Sequence, residues 1–293
     1  MLAALLGAPL AASAGEWKVS IQDNSSPFGK ETVLWQSKPK QQTVSVPSYY
    51  QQFEQLRRQA EQGDAAAQNN LGGMYYYGLG VQQDDAAALE WFRKAADQGY
   101  AKAQNALGTM YYYGRGVRQD DAAAVEWFRK AADQGEANVQ YILGWMYREG
   151  RGVRQDDATA VEWFQKAADQ GNAGAQNNLG LMYAKGRGVR QDDAAALDWY
   201  RKAADQGNAG AQNNLGVMYA KGQGVQQDYA AAVEWFRKAA DQGDVKAQSN
   251  LGAMYYEGRG VRQDVQQARY WLEKAAAQGH QQAINNLKAL NSR

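Results

Sequence analysis

Apolar and polar positions along most of this chain follow the period of an α-helix, about 3.6 residues per turn. Ala67, Leu71 and Met74 lie at i, i+4 and i+7, on one face of a predicted helix that we call helix A. Trp91 and Ala95 lie at i and i+4 of a second predicted helix, helix B, whose opposite face is charged. A glycine-containing loop separates the two helices. The pattern therefore predicts a helical hairpin.

This hairpin recurs every 36 residues, and one tryptophan marks each copy. The marking residues are Trp91, Trp127, Trp163, Trp199, Trp235 and Trp271. The six repeats cover residues 60–95, 96–131, 132–167, 168–203, 204–239 and 240–275. Since a pair of short helices cannot bury both of its apolar faces alone, such units stack on one another. The sequence predicts an all-α protein, an αα-hairpin solenoid of six repeats.

The ends of each predicted helix carry residues suited to those positions. Asp84 stands where helix B begins, and its carboxylate can accept hydrogen bonds from the first free backbone N–H groups. We therefore interpret the recurring aspartate pairs as caps and not as metal ligands. Gly78 and Gly99 stand where helices A and B end, in a left-handed conformation that glycine adopts without Cβ strain.

Gly72 lies inside helix A, where glycine costs roughly 0.5 to 1 kcal/mol relative to alanine. Close approach of another helix would offset that loss. We expect a bulky side chain, either Trp91 or Phe92, to lie against Gly72.

The array has a distinct half-unit at each end. Residues 48–59 align with helix B but carry more polar side chains, with Phe53 retained in a narrower apolar stripe. Residues 276–293 repeat the helix A stripe, with Lys288 in the position of Gly72. We expect both segments to be capping helices that complete a solenoid over residues 48–293. Capped ends favour a monomer.

The N-terminal region differs in composition, since all four prolines precede residue 48. Residues 1–14 are apolar and end in a small-x-small pattern, which predicts a signal peptide cleaved after Ala14. Export to the bacterial periplasm or beyond the cell follows. A positively charged start is missing, which leaves open a coincidental apolar leader or an upstream start. Residues 15–47 are predicted to be a partly ordered linker or a small β-hairpin.

Composition excludes several kinds of chemistry. The chain has 32 basic and 31 acidic residues, so no net charge attracts it to nucleic acid. It has no cysteine and a single histidine, His280, so thiolate catalysis, disulfides and multi-histidine metal sites are excluded. We expect no cofactor, no bound metal and no membrane insertion. His280 begins the last helix A, where we expect it to act as a helix cap.

The motif of Leu71, Gly72 and Tyr75, followed by Trp91 and Phe92, resembles the Sel1-like repeat, a relative of the tetratricopeptide repeat. The resemblance covers residues 60–275. It implies a right-handed superhelix with helices A on the concave side, and a role as an adaptor that binds other proteins. Some secreted bacterial members are rich in cysteine, whereas this chain has none.

If helix A lines the concave side, its solvent-facing positions vary between repeats while its buried positions stay constant. The positions that vary are rich in aromatic and amide side chains in the first three repeats. We predict a protein or peptide partner there, bound by Asn69, Tyr76, Asn105, Tyr112, Tyr141, Trp145 and Arg148. The amides would bond an extended backbone and the aromatics would act as anchors. The alternative is that Tyr141 and Trp145 only repack the third repeat.

Arginines recur in the loops between helices A and B, including Arg115 and Arg151. One interpretation is a basic rim that attracts acidic protein or glycan. We favour charge balance beside Asp120 and Asp156, because exposed ion pairs give only about 0 to 1 kcal/mol and the local charge is near zero.

An enzyme is the rival class of function. Ser37 and Lys40 match the S-x-x-K pattern of penicillin-binding enzymes, and some cysteine-rich relatives have been proposed to hydrolyse such compounds. Pro39 prevents the helical turn that would bring these side chains together, and the companion motifs are absent. We therefore predict a non-enzymatic scaffold with no catalytic residues. A structural component of envelope assembly is the third hypothesis.

Overall fold

The computed structural model describes residues 46–291, and all regular structure in that range is helical. In chain order the helices are α1 (Val46–Glu61), α2 (Ala65–Tyr77), α3 (Asp85–Asp97), α4 (Ala101–Tyr113), α5 (Asp121–Asp133), α6 (Ala137–Glu149), α7 (Asp157–Asp169), α8 (Ala173–Lys185), α9 (Asp193–Asp205), α10 (Ala209–Lys221), α11 (Tyr229–Asp241), α12 (Val245–Glu257), α13 (Val265–Ala277) and α14 (Gln281–Asn291). Helices A are the even-numbered ones and helices B the odd-numbered ones. The predicted signal peptide lies outside the described residues, as does the predicted linker except for its last two residues, which begin α1.

The chain divides into two compact units, with the boundary between Trp163 and Phe164 in α7. Within each unit, consecutive helices are neighbours, so helix B of one repeat packs against helix A of the next. The core of the first unit includes Leu71 and Leu107, and that of the second includes Leu215, all fully buried. Successive packing of helical hairpins confirms the predicted αα-hairpin solenoid.

The predicted helix caps are present. Asp84 Oδ1 accepts hydrogen bonds from the N–H groups of Ala86, at 3.0 Å, and Ala87, at 2.9 Å. Gly78 ends α2 with φ +68°, and Gly99 follows α3 with φ +85°. These contacts satisfy backbone groups that the helix ends would otherwise leave without partners.

The glycine inside helix A is covered by a phenylalanine. A Cβ atom on Gly72 would lie 2.9 Å from Cδ1 of Phe92. In the next repeat, a Cβ atom on Gly108 would lie 2.6 Å from Cδ1 of Phe128. Of the two candidates that the sequence left open, Phe92 is therefore the one that lies against Gly72, and Trp91 instead has Lys94 Nζ 4.1 Å from its ring centroid.

A second glycine contact joins each loop to the preceding hairpin. Gly116, with φ +63°, lies so close to the start of α3 that a Cβ atom would be 2.2 Å from the carbonyl oxygen of Asp85. Gly80 lies in the same way against the backbone of Tyr49 in α1. Helix α1 therefore takes the place of helix B for the first hairpin, as the sequence predicted for this cap.

Buried glutamines on helices A link these helices to the helices B on either side, a feature that the sequence analysis missed. Gln68 Nε2 donates to the carbonyl oxygen of Ala60 at 3.0 Å. Gln68 Oε1 accepts from Nε2 of Gln98 at 2.7 Å. The same pair of bonds recurs at Gln104, Gln176, Gln212 and Gln248. The first bond of each pair gives a second donor to a backbone carbonyl near a helix C-terminus. The carbonyl oxygen of Ala60, for example, also accepts from the N–H of Gly63 at 3.0 Å.

The capping helices contribute apolar side chains to the core. Phe53 and Ala60 of α1 are buried against α2, and Ala283 of α14 is buried beside Leu287. His280 Nδ1 accepts a hydrogen bond from the N–H of Ala283 at 3.3 Å, which confirms its predicted role as a helix cap.

Candidate partner-binding surface

The predicted partner-binding residues all lie on helices α2, α4 and α6, but they differ in exposure. Tyr76, Asn105, Tyr141 and Arg148 are partly exposed. The other three are buried: Asn69 is 1% exposed, Tyr112 is 3% exposed and Trp145 is 7% exposed. The expectation that these three side chains face solvent is wrong.

Tyr112 and Trp145 are buried because each helix A packs between two other helices, whose side chains cover them. Tyr112 is covered by Arg151, whose guanidinium carbon lies 3.8 Å from the ring centroid. Burial of the large Trp145 side chain between helices stabilises the fold, since apolar burial is worth about 25 cal/mol per Å². Trp145 therefore packs within the third repeat, as the alternative interpretation held, whereas Tyr141 remains partly exposed.

Two arginines of the loops hold consecutive hairpins together. Arg151 Nε lies 2.9 Å from Oδ2 of Asp121, and its Nη1 donates to the Tyr112 hydroxyl. Burial lowers the pKa of Arg151, but its hydrogen bond to Asp121 and the nearby Tyr112 outweigh that effect, and the pKa is raised. This guanidinium is therefore charged at all ordinary pH values.

The equivalent arginine one repeat earlier makes the same set of contacts. Arg115 Nε and Nη2 each lie 3.1 Å from a carboxylate oxygen of Asp85, and its guanidinium carbon lies 4.0 Å from the Tyr76 ring centroid. Charge balance is thus the correct interpretation for Arg115 and Arg151. Their partners, however, are Asp85 and Asp121 of the preceding hairpin, and not the nearby Asp120, which caps α5.

A cavity of about 100 Å³ lies between helices α2 and α4. Tyr76, Phe92 and Met110 contribute apolar wall, while Gly73 and Thr109 leave space because they are small. The sequence contains the signal for this cavity, since Gly73 and Thr109 occupy a position that carries larger residues in the next three repeats.

Two polar groups of the cavity wall have unusual surroundings. Oδ1 of Asn105 is buried and accepts no hydrogen bond from residues 46–291. Burial raises the pKa of the Tyr77 hydroxyl to about 12, so this phenol is neutral at physiological pH. The cavity is therefore an uncharged site whose wall combines aromatic and aliphatic side chains with an unsatisfied acceptor at Asn105.

Across the described helices, perturbed pKa values move away from neutrality. The pKa values of Tyr100 and Tyr200 are raised by burial, and that of Arg129 is raised by its hydrogen bond to Tyr147. No cluster of three or more potential metal-ligating side chains occurs between residues 46 and 291. In the same range, no helix has the length and apolar character needed to cross a membrane.

These features define a helical repeat protein, in which hairpins stack and their first helices form a wall with varied side chains. Residues 65–100, 101–136, 137–172, 173–208, 209–244 and 245–280 each match the family model of the Sel1 repeat. The chain belongs to the Sel1 repeat family, as the motif predicted. These repeats have the predicted period and begin five residues later than the predicted ones. Members of this family are typically scaffolds for protein interactions.

The solved structures that are similar to this chain include the following two. One is a protective antigen present in uropathogenic Escherichia coli strains, displaying an SLR fold, with 45% identity and a TM-score of 0.75. The match covers 79% of this chain and 50% of that one, so this chain spans about half the length of that relative. The other is a Sel1 repeat protein from Oxalobacter formigenes, with 35% identity, a TM-score of 0.70 and coverage of 78% and 92%. No curated protein matches the chain.

Proposed function

We propose that this protein is an exported, non-enzymatic scaffold that binds a protein or peptide partner on helices A of its first three repeats. The observation that carries the proposal is the cluster of partly exposed aromatic and amide side chains around an apolar cavity on α2 and α4. Tyrosine, tryptophan and arginine dominate binding energy at protein interfaces. The family membership supports the same class of function.

The seven predicted residues divide into two roles on this surface. Tyr76, Asn105, Tyr141 and Arg148 are the ones that contact the partner, because they remain partly exposed. The buried residues Asn69, Tyr112 and Trp145 shape the wall on which the partner lies. Arg148 Nε is held 2.7 Å from Oε1 of the adjacent Glu149, which fixes the guanidinium before a partner arrives.

The absence of a catalytic role is part of the proposal. A general acid or base works best with a pKa near the working pH, whereas the perturbed groups of the described residues move the other way. Ser37 and Lys40, on which penicillin hydrolysis would depend, lie outside the described residues. Incubation with β-lactams tests this alternative, and turnover that the Ser37→Ala variant lacks would contradict the proposal.

Export is supported by the predicted signal peptide and by the relative from uropathogenic E. coli. That relative is a protective antigen. Fusion of residues 1–20 to a phosphatase that is active only outside the cytoplasm tests this step. We expect active reporter whose N-terminus begins after Ala14, and an uncleaved, inactive fusion would contradict export.

The binding surface is tested with peptides selected from a random library on the immobilised protein. We expect Tyr76→Ala, Tyr141→Ala and Arg148→Ala each to weaken the selected peptides by about tenfold or more, the loss of one hot-spot contact. The matched control is Tyr256→Ala, which removes a tyrosine from the equivalent position of the sixth repeat and should leave binding unchanged. Equal effects of the first-unit variants and the control would contradict the proposed surface.

A third role, as a component of envelope assembly, predicts binding through another part of the chain. Deletion of residues 15–47 separates the two ideas, because the helix A surface is intact in that variant. Retained binding supports the scaffold, and lost binding assigns recognition to the N-terminal region.

A further inference from the structure

One repeat further along the chain, the position equivalent to the wall of the cavity between α2 and α4 carries a large side chain of the protein itself. Thr109, in the cavity wall, corresponds to Trp145 one repeat later. The indole of Trp145 is 7% exposed, so the helix A wall accommodates a whole indole ring at that position. The structure therefore shows which kind of side chain fits this part of the repeat.

The exposure of one tyrosine differs between the junction that has Thr109 and the junction that has Trp145. Tyr112 and Tyr76 are equivalent residues in successive repeats, and each has an arginine against its ring. Tyr112 is buried and stands one repeat before Trp145, whereas Tyr76 is partly exposed and stands one repeat before the smaller Thr109. The smaller residue and the more exposed tyrosine thus occur together at the first junction, and the larger residue and the buried tyrosine at the second.

The size and lining of the cavity suit one aromatic ring system. A cavity of about 150 Å³ lined by apolar side chains is enough to enclose benzene. This cavity measures about 100 Å³ and opens at the surface, so an indole can insert one edge while the rest lies over Tyr76. Aromatic pairs of this kind add roughly 0.5 to 1.5 kcal/mol beyond the burial of area.

The unsatisfied acceptor in the wall adds a chemical requirement. Asn105 Oδ1 is buried with no hydrogen bond from the described chain, and a buried polar atom in this condition is costly. Thr109 does not supply the donor, because its hydroxyl donates to the backbone carbonyl of Asn105 at 3.0 Å. A ring that brings an N–H group into the cavity satisfies the amide, which can turn about its last side-chain bond to meet it.

We propose that this cavity is an anchor site for a tryptophan of the protein partner, with the indole N–H donating to the side-chain oxygen of Asn105. The proposal rests on the proposed scaffold function and specifies which partner side chain the first two repeats take. Indole meets both requirements. It is the ring found at the equivalent position in the next repeat, Trp145, and its N–H group can donate to Asn105 Oδ1.

The test uses small probes, so that it does not depend on knowing the partner. Indole and benzofuran are titrated against the full chain by ligand-observed NMR. The two rings have nearly the same shape, but benzofuran has an oxygen in place of the N–H group. We expect indole to bind with a Kd on the order of 1 mM, as for a small fragment, and benzofuran to bind at least about fivefold more weakly.

Three variants locate the site. Thr109→Trp should abolish indole binding, because it places in the cavity the side chain that fills the next repeat. Val217→Trp makes the same change at the equivalent position of the fifth repeat and should leave binding unchanged. Asn105→Leu removes the acceptor and should bring the affinities of indole and benzofuran within about twofold of each other. If Thr109→Trp fails to fold, Thr109→Leu replaces it, since leucine occurs at this position in α8.

The outcomes separate this inference from the proposed function. No indole binding at 10 mM, equal affinities for the two probes, or indole binding that survives Thr109→Trp would each overturn the anchor site. The library peptides described above could still bind in each of these cases, and the scaffold function would stand. If the probes behave as expected, tryptophan should be enriched among the selected peptides, and Thr109→Trp should release them.

Discussion

Gly216 lies directly against Phe236, so that a methyl group on Gly216 would be 2.7 Å from Cδ1 of the ring. Phe236 is 2% exposed and belongs to the core of the second unit, where it has no free space to move into. The contact allows α10 and α11 to approach more closely than two helices with ordinary side chains could. It also shows why glycine is kept inside a helix despite its poor helix propensity.

We expect Gly216→Ala to lower the free energy of unfolding by about 1 to 3 kcal/mol, since overpacking outweighs the gain in helix propensity. Gly210→Ala is the matched control in the same helix, because its nearest neighbour would lie at an ordinary 3.4 Å. The control should be neutral or stabilising by up to about 1 kcal/mol. Urea denaturation measures both, and equal effects would contradict the role of the close contact.

The buried glutamines should contribute substantially to stability. Gln104 Nε2 donates to the Ala96 carbonyl oxygen at 3.3 Å, and its Oε1 accepts from Gln134 at 2.8 Å. Gln104→Leu removes both of these bonds, although the Ala96 carbonyl oxygen keeps a hydrogen bond from the Gly99 N–H at 2.9 Å. We therefore expect a loss of about 1 to 3 kcal/mol in chemical denaturation, the net value of two hydrogen bonds.

Gln134→Ala is the control for this glutamine. It removes the exposed donor of two hydrogen bonds, one to Gln104 Oε1 and one to the Gly99 carbonyl oxygen at 2.9 Å. Because the Gln134 side chain is exposed, we expect a smaller loss, of about 0.5 to 1 kcal/mol. A loss at Gln104→Leu no greater than that at Gln134→Ala would show that the bond from Gln104 to the Ala96 carbonyl adds nothing to stability.

The ion pair of Arg151 with Asp121 should couple two successive hairpins. We expect a double-mutant cycle with Arg151→Ala and Asp121→Ala to give a coupling free energy of about 0.5 to 1 kcal/mol, discounted for the partial exposure of both side chains. High salt should reduce it. Arg259 and Glu257, two residues apart on one hairpin and more exposed, are the control pair, and their coupling should be near zero. Equal coupling in the two pairs would contradict the role of Arg151.

The cap of α7 should be sensitive to acid. Hydrogen bonds from the backbone N–H and then the hydroxyl of Thr159 lower the pKa of Asp156 below its usual value. The pKa of Asp156 is thus lower in the folded than in the unfolded state. The ionised cap therefore stabilises the fold above the unfolded-state pKa of about 3.9, and this stabilisation is lost as the pH falls through the folded-state pKa.

Thr159→Ala should therefore raise the pKa of Asp156, as followed by NMR of its carboxyl carbon. The variant should be less stable than the parent at neutral pH, and the difference should vanish in acid. Thr159→Ser keeps the hydroxyl and should behave like the parent in this respect. An unchanged Asp156 titration in Thr159→Ala would mean that the hydroxyl has no influence on the carboxylate.

The sequence predicted the helices, their caps and the end helices because these depend on local rules. A period of about 3.6 residues fixes the apolar face, and Asp84 or Gly78 fixes where a helix begins or ends. The glycine contact was predictable as a class, since a helical glycine implies close approach. Which ring makes that contact depends on the rotation of helix B, which periodicity leaves uncertain by one residue.

The exposure of the candidate site was harder to predict. Helix A touches neighbouring helices on two sides, so the same stripe of varied positions contains partly exposed residues such as Tyr76 and buried ones such as Trp145. The angles between helices decide between these outcomes, and they follow from packing over several repeats. The buried glutamines were missed because glutamine is usually exposed, and only its recurrence at Gln68 and Gln104 could have revealed them.

The fit of Gly80 against Tyr49 and of Gly116 against Asp85 means that every junction within the first unit has the same geometry, including the one at the capping helix. A segment such as residues 101–136 can therefore be removed or duplicated. The hairpins brought together make the same glycine contact that each made before. The length of the recognition wall can then change in whole steps of one hairpin, through recombination between near-identical stretches of gene, without new contacts having to evolve. The area offered to a partner changes in the same steps, because each loop glycine admits the backbone of the preceding hairpin.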